Sequence, residues 1–310
     1  MPVGPPWGSH IFAGAALAAG LVIAAVPGAL FGGEPSPRPE GPPAGYALTP
    51  SFAEEFSSAS IDRSRWTHAY ADPSAPTTVA QRTLANNGER EVYFDRDFLD
   101  LGIDPFTIQR GVLTIRAAPL TEAARAAVMR DIDALPSHPS IPTLRAVRYS
   151  SGLISTRGRF AQRYGYFETR ARWSAGKGLW PAFWLLPASG TWPPEIDILE
   201  AHGDKPTFVF HSLHSKRVKS ATKVADASNP QQFHRYGALW LPDRVDFYID
   251  GNRTGTMPAP ADLDQPMYLI VNLAVGGKWP GDPTPEVRFP AMLDVDYVRA
   301  WRLDRLPPSR

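Results

Sequence analysis

The chain has 310 residues, 43% of them hydrophobic, and carries 32 Lys and Arg against 31 Asp and Glu. That length allows a substantial core, and the near-cancelled charge gives no electrostatic basis for a nucleic-acid partner. There is no cysteine, which excludes disulfides and thiolate metal sites.

In chain order, the first feature is IFAGAALAAGLVIAAVPGALF at 11–31, an uncharged run just long enough to span a bilayer. Residues 1–32 are read as a signal peptide or a membrane anchor, and the choice between cleavage and attachment stays open. The Pro/Gly-rich stretch at 33–46 reads as a tether. One domain is expected at 47–305. Either form of the N-terminus implies export, to the periplasm or the cell exterior.

Short β-branched and aromatic runs then recur between turn signals: REVYF (90–94), GVLTIRA (111–117), SGLISTRGRF (151–160), GYFETRARW (165–173), AFWLLP (182–187), TFVFHSLHS (207–215), YGALWL (236–241), RVDFYIDG (244–251), MYLIVNLAV (267–275) and LDVDYVRAWRL (293–303). With 33 prolines and 25 glycines at the joints, they predict an all-β antiparallel sandwich or jelly roll. In GYFETRARW the alternation predicts one packed face and one wet face. The clear helical stretch is TEAARAAVMRDIDAL (121–135), read as a solvated surface insertion, with a helix overhanging a groove as the alternative.

The sequence EIDILE (195–200) places three acids in six residues. Glu195 and Asp197 share a strand face, but Glu200 lies an odd five residues from Glu195, on the opposite face of a regular strand. A β-bulge between Asp197 and Glu200 restores all three to one side. Paired carboxyl groups are what glycosidic bond cleavage with retention needs, one as nucleophile and one as proton donor. Tryptophans flank the acids: Trp180 and Trp184 in GKGLWPAFWLLP, and Trp279 in GGKWPGDP. Indole faces stack on sugar rings, so this pattern points to a sugar cleft.

The ordered series YGYFETRARWSAGKGLWPAFWLLP, PPEIDILEAHG, FHSLHS, WLPDRVDFYIDG, NLAVGGKWPGDP and LDVDYVRAW resembles glycoside hydrolase family 16, in its laminarinase-like branch with a bulged E-x-D-x-x-E motif. The resemblance covers roughly residues 48–303. It implies a β-jelly-roll of two curved antiparallel sheets with a concave substrate cleft, and retaining endo-hydrolysis of β-linked glycans. Residue by residue it implies Glu195 as nucleophile, Asp197 as its supporting acid and Glu200 as acid/base. Trp180, Trp184 and Trp279 match cleft tryptophans, His214 a histidine on the leaving-group side, and Asn87 an asparagine of an N-N-E segment that here reads NNGE. Asp296 matches a position that can hold a structural calcium; a strand-end cap is the alternative. No other cofactor is expected.

His211 and His214 are three apart and face opposite ways on a strand, poor geometry for zinc; one is expected in the cleft and one as a structural residue. SKRVKSATK (215–223) is read as a solvated loop, with attraction of acidic glycan substituents as the alternative. The expected partner is a polysaccharide, most simply a β-1,3- or mixed β-1,3/1,4-glucan, met by a monomer. An exopolysaccharide depolymerase of the succinoglycan type, a transglycosylase, a galactan hydrolase and a non-catalytic glycan-binding protein are the competing readings.

Overall fold

Strands form where branched and aromatic residues alternate with polar ones, and they stop at Gly, Pro and Asx turns. A computed structural model of the protein describes residues 41–305, apart from positions 72, 75, 76 and 138. The apolar run at 11–31 and the start of the tether lie outside the described residues. Among the described residues no helix is long and apolar enough to cross a membrane.

The elements follow in order as β1 (Leu48–Glu54), β2 (Glu91–Tyr93), β3 (Phe106–Gln109), β4 (Val112–Pro119), helices α1 (Glu122–Asp133) and α2 (Ile141–Leu144), β5 (Tyr149–Ser151), β6 (Leu153–Ser155), β7 (Gly165–Trp173), β8 (Leu179–Pro187), β9 (Glu195–Ala201), β10 (Phe208–His214), β11 (Ala221–Asp226), β12 (His234–Trp240), β13 (Arg244–Ile249), β14 (Asn252–Pro258), β15 (Met267–Val275) and β16 (Ala291–Leu303). One sheet runs β14-β13-β12-β7-β16-β4-β5-β2, with β1 added on β16 and β3 on β4; the other runs β11-β10-β9-β8-β15-β6. The architecture is the expected two-sheet jelly roll. Pairing is antiparallel except for the short β2–β5 ladder, which is parallel.

The DG signal in RVDFYIDG makes a two-residue hairpin. Asp250 and Gly251 take φ of 51° and 79°, the positive pair that a tight turn between right-twisted strands requires. The main core lies between the sheets, where Phe167, Ala171 and Trp173 of β7 belong to one cluster with Ile196, Ile198 and Leu199 of β9 and Leu269, Val271 and Leu273 of β15. The alternate β15 residues Tyr268, Asn272 and Ala274 line the cleft on the other side of that sheet.

Two expectations need correction. The charged face of β7 is not wet, since Glu168 and Arg170 are buried. Glu168 accepts from Tyr166 Oη at 2.8 Å and Tyr297 Oη at 2.7 Å. Arg170 Nη1 donates to Asp296 Oδ2 at 2.8 Å, and Arg172 Nε to Asp294 Oδ2 at 2.9 Å. Phe233 packs against both guanidinium groups. A buried charge is tolerated only when paired, and β16 supplies the carboxylates, Asp294 opposite Arg172 in register and Asp296 from a bulge beside Arg170.

Nor is α1 simply solvated. Thr121 caps it, accepting from Ala124 N at 3.2 Å, and Ala124, Ala127, Val128 and Ile132 are buried at helical spacing. Val128 and Ile132 share a second small core with Val79, Val92, Phe94 and Phe98. Burial contributes about 1.5–3 kcal/mol for each large side chain, enough to hold the insertion down. It does not overhang the cleft, whose lining includes no α1 residue. It braces the 79–89 segment from behind, with Asp131 Oδ2 accepting from Val79 N at 2.7 Å.

Candidate active site

The three acids meet because β9 carries an extra residue. Across from it on β10, Glu195 pairs with His214, Asp197 with Ser212 and Glu200 with Phe210, so five steps on β9 match four on β10. On the β8 side Leu199 pairs with Phe183 and Asp197 with Trp184, which leaves Ile198 as the bulged residue. Ile198 and Leu199 therefore both enter the core. His211 locks the bulge: its Nδ1 donates to Ile198 O at 2.6 Å, and its Nε2 meets Thr254 Oγ1 at 3.0 Å. Burial pushes that imidazole down to about 4, so it sits neutral. This is the structural histidine, and His214 is the one in the cleft.

Glu195, Asp197 and Glu200 line a cleft of about 760 Å³, together with Asn87, Trp180, Trp184, His214 and Trp279. Each neighbour has a distinct contact. Trp180 Nε1 donates to Glu200 Oε1 at 3.0 Å. Because that bond occupies Oε1, a proton on Glu200 belongs on Oε2. His214 Nε2 lies 3.1 Å from Asp197 Oδ2 and 3.7 Å from Glu195 Oε1, with its Nδ1 3.1 Å from Ser220 Oγ. Trp279 is half-exposed and meets Trp180 edge-on, ring centres 4.9 Å apart, with Phe210 at 5.0 Å. Trp184 is 7% exposed, and its Nε1 donates to Asn272 Oδ1 at 2.7 Å. It supports the floor more than it offers a stacking face.

Asn87 Nδ2 donates to Glu89 Oε1 at 3.0 Å. Gly88 between them has φ +73°, a left-handed turn that folds Glu89 back beneath the cleft. The loop bearing Trp279 is tied to the same segment, since Lys278 N donates to Asn87 O and Lys278 Nζ to Asn86 O. Both asparagines line the cleft.

Burial dominates the electrostatics. It raises Glu195 and Asp197 well above the ordinary carboxylate range, each also opposed by a neighbouring acid. Glu200 is pushed up to about 8, first by burial and then by the charge of Glu195, against the downward pull of the Trp180 N–H; Glu89 adds to the rise. Crowded carboxyl groups cannot all ionise together, so the cluster holds protons near neutral pH. Behind it, Glu89 and Glu91 form a second buried pair, both raised chiefly by burial, with Glu91 Oε2 accepting from Val275 N at 2.7 Å.

Asp296 does not join the cleft. It is the bulged residue of β16, buried against the Arg170 guanidinium. A cation at 2.8 Å stands where a calcium ion would need further oxygens, so this donor set does not fit calcium. Nor is it a strand-end cap. The 215–223 segment is also part strand: its last three residues begin β11, an exposed edge whose Thr222 and Val224 reach the cleft.

Sequence reading left out several cleft residues. Trp192, in the WPPE run just before the acids, donates its Nε1–H to Glu195 Oε2 at 2.7 Å. Glu89 was visible in NNGE. Asn272 was visible as an amide inside the otherwise apolar MYLIVNLAV. Phe210 and Tyr268 carried no separate signal in strands rich in aromatics.

Three carboxyl groups raised from one bulged strand into an aromatic-walled cleft of a two-sheet jelly roll define a carbohydrate-cleft class of protein. Comparison with known proteins agrees. The family described as Glycosyl hydrolases family 16 matches residues 125–299, more than half the chain. An "Endo-1,3-1,4-beta-glycanase EglC" of Rhizobium meliloti (strain 1021) is 37% identical over 264 residues, covering 83% of this chain and 52% of that one. "Endo-1,3-1,4-beta-glycanase ExsH" of the same strain is 39% identical over 229 residues, covering 72% and 45%. The laminarinase from Rhodothermus marinus superposes with a TM-score of 0.66 at 26% identity, covering 84% of this chain and 99% of that one. The chain belongs to glycosyl hydrolase family 16. It spans about half the length of the first curated relatives it matches.

Proposed function

We propose that the protein is a retaining endo-hydrolase of β-linked glucans, acting on β-1,3- or mixed β-1,3/1,4-linkages. The observation that carries this is the bulge at Ile198, which brings Glu195, Asp197 and Glu200 to one face of the cleft floor. Relatives described as endo-1,3-1,4-beta-glycanases, and structural neighbours described as laminarinases, support the choice of linkage.

The chemistry follows from the contacts. In the working state Glu195 is ionised, with Oε2 fixed by the Trp192 N–H and Oε1 left for attack on the anomeric carbon. Asp197, 2% exposed and two residues along the same strand face, sets its charge and its His214 contact beside the nucleophile and so orients it. Glu200, raised to about 8, is protonated at neutral pH and delivers its proton to the leaving oxygen. Once the leaving sugar departs, Glu200 as base activates water to release the glycosyl-enzyme. The full set of acids favours this over a binding-only role. Export, inferred from the apolar run at 11–31, would suit a polymeric substrate.

The test is product analysis of the purified chain on laminarin, lichenan, an acidic exopolysaccharide and agarose, with Glu195→Gln alongside. Short oligosaccharides from a glucan, first released as the β-anomer and reduced by at least about a thousandfold in the variant, are expected. A native enzyme that binds every polymer and cuts none overturns the hydrolase reading. Edman sequencing of the exported protein tests the N-terminus: a start beyond residue 32 means cleavage, and membrane-bound intact chain means anchoring.

A further inference from the structure

We propose that Trp192 is a positioning and specificity residue with two separable parts, an indole N–H that fixes the rotamer of Glu195 and a ring face that stacks on the sugar bound beside it. This rests on the hydrolase reading above.

Two observations carry it. First, Nε1 lies 2.7 Å from Glu195 Oε2, on the oxygen away from His214, whose Nε2 is 3.7 Å from Oε1. Second, the ring is 62% exposed, the most exposed large apolar side chain among the described residues, and it lines the cleft. A tryptophan needed only for packing would bury its ring; this one spends its polar end on the nucleophile and leaves its apolar face open.

The backbone holds it there. In the 188–194 turn, Gly190 N donates to Pro187 O at 3.0 Å and Ser189 Oγ to Gln265 Oε1 at 2.9 Å. At the other end of the acid row, Trp180 makes the matching contact to Glu200 and meets Trp279 and, through it, Phe210. The acids are thus bracketed by two indoles, each donating to one carboxyl group, and on the Glu195 side the neighbouring rings of Trp184 and Tyr268 are buried, so the open ring face there is that of Trp192. Stacking beside Glu195 falls to Trp192.

The N–H also acts on charge. Glu195 is faced by Asp197 from β9, by His214 from β10 and by Tyr268 from β15, with Arg157 packed over the Tyr268 ring and Glu200 further along β9. The Trp192 bond favours the ionised carboxylate, so its loss moves the acidic limb of the pH profile to higher pH.

The experiment compares Trp192→Phe and Trp192→Ala with the native chain, after thermal melts show that both fold. Trp192→Phe keeps a ring and loses the donor; Trp192→Ala loses both. Both variants are expected to lower kcat by about tenfold and to raise the acidic limb by about half a pH unit or more. Only Trp192→Ala is expected to raise KM, by about tenfold, with Trp192→Phe within about twofold of native. A parallel arm measures calorimetric affinity for a mixed-linkage glucan hexasaccharide in the Glu195→Gln background, where only the alanine variant should weaken. An unmoved acidic limb in Trp192→Phe overturns the positioning role, and equal affinities for the two variants overturn the stacking role. A native chain that cuts no glucan instead removes the hydrolase reading, while the binding arm still decides the role of the ring.

Discussion

Replacing Trp180 with Phe removes the indole donor from the site and keeps a smaller aromatic ring. The phenyl ring keeps an aromatic contact with Trp279, whose ring centre lies 4.9 Å from that of Trp180. What disappears is the Nε1–H donated to Glu200 Oε1 at 3.0 Å. A hydrogen bond to a charged group contributes about 1.5–3 kcal/mol, and each pKa unit corresponds to about 1.4 kcal/mol. Trp180 is partly open to solvent, so the lower end applies, about one unit. The bond favours the ionised form; without it the Glu200 pKa rises from about 8. The proposed reaction uses Glu200 in its protonated form, so on that proposal activity is lost as pH rises through that value. The basic limb should therefore move upward by about one unit. Initial rates of reducing-sugar release from about pH 4 to about pH 10, native beside variant, read this directly. A basic limb that stays in place or moves down would refute Glu200 as the proton donor held by Trp180.

Deleting Ile198 should straighten β9 and still leave the acids on one face, now at regular two-residue intervals, at a cost of about 3–5 kcal/mol for the lost core side chain and the disturbed His211 bond. A variant that folds by circular dichroism yet is as inactive as Glu195→Gln contradicts the register argument. Asp296→Ala should lower stability by about 3–5 kcal/mol, because it leaves the Arg170 guanidinium buried without this partner; chelation of divalent ions should leave the melting temperature unchanged. A melt that drops on chelation and recovers with calcium overturns that pairing argument. Asp131→Ala should speed amide exchange at Val79 and loosen the 79–89 segment, raising KM more than it lowers kcat. Unchanged exchange at Val79 counts against bracing by α1.

Much of this protein was legible in one dimension, because some patterns depend only on neighbours along the chain. Period-two alternation, the DG turn and the long apolar β15 run specify strands and their ends through local sterics and burial. The odd spacing in EIDILE left either an unrelated third acid or a bulge, since side chains on a strand alternate, and the bulge at Ile198 is what the fold contains. The jelly roll and the acid row could be written down on those grounds and on family resemblance.

What tertiary structure decided was the partner of each polar group. Nothing local says that the charged face of β7 is covered by Tyr297, Asp294 and Asp296 from β16, more than a hundred residues away. The helix of α1 read as solvated, and only packing showed its stripe of Ala124, Ala127, Val128 and Ile132, chose Val79 and Phe94 as its cover and kept the helix out of the cleft. Asp296 had the chemistry of a metal ligand until Arg170 met it. Trp192 was readable as a tryptophan beside the acids, but its hold on Glu195 depends on how a turn closes in space. Alternation determines which way a side chain points; only the folded chain determines what it finds there.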